Sequence, residues 1–169
     1  MMSNDINIRQ KPTDLYELFS SRVKGSNINP VTLLATDYLN HFNEIIMLIE
    51  MLPDMPECIE DIAAWTPKSY QQHFLDSNFT DKELAIEAYA YAPARFRQPF
   101  ERLIGQLDAL IVLATPPLKA AVANEDQAAL SDAIALSCEM RQIAEKAGAI
   151  INGEDHGHDQ AEIDAVLES

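Results

Sequence analysis

Between Ala94 and Ala114 the apolar residues Phe96, Phe100, Leu103, Leu107, Leu110 and Ala114 recur three and four positions apart. That spacing lines one face of a helix with 3.6 residues per turn. It constrains the fold more than any other feature, because a strand would send successive residues to opposite faces. The same spacing returns in Ala133, Leu136, Met140, Ile143, Ala147 and Ile150, and again in Leu34, Tyr38, Phe42, Ile45 and Ile49. Three wide stripes and no alternating run predict an all-α fold. The expected architecture is a helical bundle with three long helices, shorter helices between them, and a short C-terminal amphipathic tail helix.

Helix punctuation gives the boundaries. A first helix is expected over "PTDLYELFSSRV", stopped by "KGSN". "NP" at 29–30 then reads as an N-cap asparagine with proline in the first turn, opening a long helix to about Leu52. Short helices are expected from Asp54 and from Thr66, each a cap residue followed by proline. Thr80 with Glu83 three residues on has the pattern of a capping box, as does Asn124 with Gln127. The helix beginning near residue 93 is expected to end at Ala114, before "TPP", with Pro99 near its first turns. Gly153 is the expected left-handed cap of the last helix. The chain therefore divides into a bundle domain, 1–153, and an acidic tail, 154–169.

Composition narrows the function classes. At 169 residues and 47% hydrophobic, the chain is long enough for one packed core. The apolar runs "IIMLI" and "ALIVLA" are far below the roughly 18 residues of a membrane span. The N-terminal "MMSNDINIRQKP" lacks the apolar stretch of a signal peptide, so a cytoplasmic protein is expected. A net charge of −15 repels phosphate backbones and anionic lipid, which argues against nucleic acid or membrane partners. Cys58 and Cys138, with no CxxC pattern, are expected to be reduced, partly buried thiols.

Two groups in the body could carry chemistry. Asp37, His41 and Glu44, at i, i+4 and i+7, share one edge of a helix face. An imidazole between two carboxylates could hold a divalent metal or act as an oriented histidine. The order His-x-x-Glu reverses the Glu-x-x-His of di-metal bundles, and no repeated half-site accompanies it. Further ligands would come from His73, Glu101, Asp108 or Glu139. No cofactor is otherwise expected. The bland alternative is a core-edge histidine satisfied by local acids. Arg95, Arg102 and Gln106 fall on one stripe and could grip an anion or an acidic partner, whereas Arg97 and Glu101 read as an i, i+4 surface pair. No P-loop, GxGxxG, GxSxG or HExxH motif is present.

The tail carries six acids and no Lys or Arg. Its "GEDHGHD" start reads as a linker. Asp159 with Glu162 then forms an Asp-x-x-Glu capping pattern, and Ile163, Val166 and Leu167 make an apolar stripe. About ten residues are too few for a helix to stand alone in water, so the segment needs a surface. "DQAEIDAVLES" resembles the "SQxEIDALL" segment that opens flagellar motor switch proteins, with Val166 in place of the usual leucine. The chemotaxis phosphatase carries a functionally similar acidic peptide at its C-terminus. The resemblance implies capture of a phosphorylated response regulator. Ile163, Val166 and Leu167 would be the anchors, and Asp159, Glu162 and Asp164 the charges facing a basic groove. The phosphatase signatures Asp-x-x-x-Gln and Glu-x-x-Asn do not occur in the sequence.

The preferred reading is a non-enzymatic adaptor or regulator that binds a signalling partner through its tail. A metal-using bundle centred on Asp37, His41 and Glu44 is the second reading, and self-association into a homo-oligomer the third.

Overall fold

The structure, a computed structural model, describes residues 12–153. Seven α-helices and no strand occur among them: α1 (Pro12–Arg22), α2 (Asn40–Met51), α3 (Ile59–Ala64), α4 (Tyr70–Asp76), α5 (Lys82–Tyr89), α6 (Ala94–Ala123) and α7 (Gln127–Ile151). Short 3-10 turns, Thr36–Leu39 and Pro56–Cys58, lead into α2 and α3. The all-α class stands. Two helices are long, of 30 and 25 residues, whereas α2 spans 12.

The shortened α2 has a local cause. Asn29 does accept from the Val31 and Thr32 N–H groups at 2.8 and 3.0 Å, as a cap would. Leu33, however, sits at φ +60, a left-handed conformation that ends helical propagation. Segment 32–35 is buried throughout. The Thr32 hydroxyl donates to the Ile151 carbonyl at 2.6 Å and accepts from the Leu34 N–H at 3.3 Å. A tertiary tie to the end of α7 thus displaces the first turns expected from sequence.

Helix α6 overrides its stop signal. It runs through Pro116 and Pro117 to Ala123. Each proline forfeits one bond to the carbonyl four residues earlier, those of Val112 and Leu113. Both residues are on the solvent side, 51% and 73% exposed, which leaves the freed carbonyls near solvent, and "LKAAVA" resumes with helix-favouring residues. Thr115 bonds back to the Ile111 carbonyl at 2.9 Å. The helix then closes in a Schellman motif. The Asp126 N–H reaches the Ala121 carbonyl at 2.9 Å, the Glu125 N–H reaches that of Val122 at 3.2 Å, and Glu125 lies at φ +50. Asp126, not Asn124, caps α7 by accepting from the Ala129 N–H. Ser69, not Thr66, caps α4. The Thr80 and Glu83 box does not form: Asp81 occupies the N-cap of α5 without a side-chain bond. Gly153 ends α7 at φ +74, as expected.

α6 and α7 form an antiparallel hairpin, and α2 lies along α7. Arg141 pairs with Glu50 at 2.6 Å, while a Cβ on Gly148 would meet Leu39 at 3.5 Å, so α2 runs antiparallel to α7 and covers roughly its C-terminal half. The core gathers Tyr38, Phe42, Ile45 and Ile49 of the α2 stripe with Phe100, Leu107, Met140 and Ala147. The stripe on α6 is turned slightly from the one expected: Ile104 and Ile111 are buried, and Leu103, Leu110 and Ala114 only partly so. By length and composition α6 could cross a bilayer, its most apolar 18-residue window having mean hydropathy 1.2 with 22% of it buried. Cys58 is buried; Cys138 is exposed, contrary to expectation.

Candidate functional site

Three short elements converge on the first half of α6 and build a cleft there. The turn before α2 supplies Tyr38, the start of α4 supplies Tyr70, the end of α5 supplies Tyr89, and α6 supplies Phe100. Tyr70 stacks on Tyr89 with ring centroids 4.4 Å apart and meets Tyr38 at 5.3 Å and Phe100 edge-on at 6.4 Å. Hydrogen bonds fix the rings. The Tyr38 hydroxyl donates to the Lys68 carbonyl at 2.6 Å, and the Tyr70 oxygen accepts from the Ala35 N–H at 2.9 Å. The Tyr89 hydroxyl donates to Glu101 at 2.5 Å. Burial pushes all three phenols well above their ordinary range, so they stay neutral donors.

Between these rings and α6 lies a cavity of about 280 Å³, lined also by Lys68, Glu101, Ile104 and Asp108. Glu101, Ile104 and Asp108 follow at i, i+3 and i+7, one face of α6. Asp108 Oδ1 is buried with no hydrogen-bond partner. Burial pushes its carboxyl up to about 6. The Lys68 ammonium is engaged by Asp76 at 3.0 Å.

A second polar layer adjoins the cleft. His41 stacks on Trp65 with centroids 4.6 Å apart, and the Trp65 indole N–H donates to the His41 carbonyl at 3.0 Å. His41 Nε2 is buried without a partner. Burial first, then the nearby His73 and Lys68, push this imidazole down to about 4, against a hydrogen bond with the Thr66 backbone. Asp37 bonds His73 Nε2 at 2.9 Å, while Asn40 donates to its other oxygen at 3.2 Å.

The expected metal group is therefore rearranged. Asp37 joins His73 from α4, not His41, and Glu44 is exposed. Among the described residues no three His, Cys, Asp or Glu side chains gather in a way that could hold a metal ion. Asp108, named from sequence only as a spare ligand, and Glu101, named also as the partner of Arg97, share the cleft. Arg95, Arg102 and Gln106 are all exposed, and the Arg95 guanidinium lies 4.9 Å from the Phe96 ring centroid. Arg97 and Glu101 do pair, at 4.0 Å. The tail residues Asp159, Glu162, Ile163, Asp164, Val166 and Leu167 lie outside the described residues. Sequence reasoning missed the tyrosine set, because Tyr38, Tyr70 and Tyr89 come from separate elements and share no spacing.

A different surface lies further along the hairpin. Beyond the stretch that α2 covers, α6 and α7 face each other across an apolar groove of about 450 Å³, lined by Leu110, Leu113, Pro117, Ala129, Ala133 and Leu136 among others. Val112, Leu113 and Ile134 are exposed beside it. Asp132 lines its edge, with Glu125 and Asp126 at the hairpin turn.

No protein-family model, curated protein or solved structure matches the chain.

Proposed function

We propose that this chain is a cytoplasmic helical adaptor, a non-enzymatic protein that binds a signalling partner. The observation that carries the reading is the apolar groove at the far end of the α6–α7 hairpin, where Leu113 is 73% exposed. Single exposed leucines are ordinary, but a contiguous apolar strip with acidic edges has the character of a docking surface. Its occupant is a partner helix with an apolar stripe and basic flanks, the helix-in-groove mode. A second copy would bring another −15 against the same acidic rim, and the chain's own acidic tail would meet like charge there. The tail supports the same function from sequence: Ile163, Val166 and Leu167, flanked by Asp159, Glu162 and Asp164, have the pattern of a second attachment point. Its resemblance to response-regulator-binding peptides makes a receiver domain the first partner to try.

Calorimetric titration of the full chain with a phosphorylated chemotaxis receiver domain tests this. Saturable binding is expected, weakened roughly tenfold or more by ending the chain at Gly153 and by Leu113→Asp. Binding indifferent to both changes, or none at millimolar receiver, would count against the adaptor reading. A dimer in sedimentation that Leu113→Asp dissolves would reassign the groove to self-association.

A further inference from the structure

The geometry points to a binding site for a small primary ammonium ion in the cleft between the start of α4 and α6, cradled by Tyr38, Tyr70, Tyr89 and Phe100 and paired with Asp108. This inference is independent of partner docking on the hairpin. Four aromatic rings and two carboxylates line the cavity, a combination that attracts cations through ring quadrupoles and charge together. The sole cationic side chain among the lining residues, Lys68, has its ammonium 3.0 Å from Asp76, which is not part of the lining. It therefore does not neutralise the site from within.

The decisive feature is the buried, unpartnered Asp108 Oδ1. Burial of an acceptor without a donor is costly, and none of the neighbouring phenols donates to it. Tyr38 donates to the Lys68 carbonyl and Tyr89 to Glu101. The Tyr70 oxygen accepts from the Ala35 N–H, and its own proton does not reach Asp108 Oδ1. A ligand bearing N–H donors completes the set. The absence of any three-ligand cluster among the described residues favours an organic cation over a bare metal ion. The orphan acceptor favours a primary ammonium over a quaternary one. At about 280 Å³ the cavity sits near the lower end of ligand pockets, which suits a compact alkyl stem. The overall charge of −15 raises the local concentration of such ions.

The test is an NMR and calorimetric titration of the full chain with n-butylammonium, with n-pentanol and tetramethylammonium as comparators. Saturable one-site binding is expected, with shifts concentrated at residues 67–71, 89 and 100–108. Asp108→Asn, which keeps the shape and removes the charge, is expected to weaken it by at least about tenfold. Glu145→Gln, on an exposed acid elsewhere on α7, is expected to leave it unchanged and so controls for net charge. No saturation at tens of millimolar ligand, equal binding by Asp108→Asn, or equal affinity for pentanol or tetramethylammonium would overturn the proposal.

Discussion

Two half-buried groups on the cleft side of the molecule titrate in opposite senses. His41 is held down to about 4 by burial, below its ordinary value near 6.5. The unfolded chain therefore binds more protons between those values, and the stability His41 permits is complete above about pH 6.5 and lost as pH falls towards 4. Asp108 is pushed up to about 6 by burial. Here the folded chain binds more protons, so stability is lost as pH rises from about 4 through 6. The expected outcome is that His41→Phe, which keeps a ring against Trp65, flattens the acid limb of a urea-denaturation profile. Asp108→Asn is expected to add about 1–2 kcal/mol above pH 6 and little below pH 4. Stability unchanged by pH in both variants and in the parent would contradict these assignments. Thr32 makes a third expectation. Its buried hydroxyl serves the Ile151 carbonyl, so the near-isosteric Thr32→Val is expected to cost about 1–3 kcal/mol in the same assay.

At the scale of elements, the turn between the long helices is three residues doing two jobs. Glu125 holds φ +50, a conformation that costs an L residue about 1 kcal/mol and glycine almost nothing. Glu125→Gly is expected to raise the thermal midpoint by a few degrees. Gly105 lies within α6, and a Cβ there would meet nothing within 4 Å. Gly105→Ala is expected to stabilise by about 0.5–1 kcal/mol. A midpoint lowered by either change would show that local backbone preference does not govern the hairpin.

These elements also mark how much of the fold was legible. The stripes on α2, α6 and α7 were readable because burial has the period of the helix. So was the Gly153 cap, whose left-handed conformation is local. Pro116 and Pro117 misled because the helix continues through them, with Val112 and Leu113, whose carbonyls they free, on the solvent side. Asn29 misled because its cap bonds form, yet Leu33 turns the chain to let Thr32 reach α7, a contact 119 residues away in sequence. The site was legible only in fragments. Asp37, His41, Glu101 and Asp108 were visible as polar residues near a helix face, but their pairing depends on His73 and on three tyrosines that arrive from other helices.

At the scale of the molecule, the layout is a covered bundle from which one hairpin projects. The last 14 residues of α6, Leu110 to Ala123, span about 20 Å, and the region lies past the reach of α2. Because Leu113 is 73% exposed, Leu113→Asp is expected to change the folding free energy by no more than about 0.5 kcal/mol while removing a contact a partner needs. The most direct test of the adaptor reading is hydrogen–deuterium exchange on the full chain, alone and with a synthetic amphipathic helix bearing leucines at three-four spacing and lysine flanks. The account expects new protection concentrated in residues 110–118 and 129–136, abolished by Leu113→Asp. Protection spread over the α2 side, or none at saturating peptide, would contradict it.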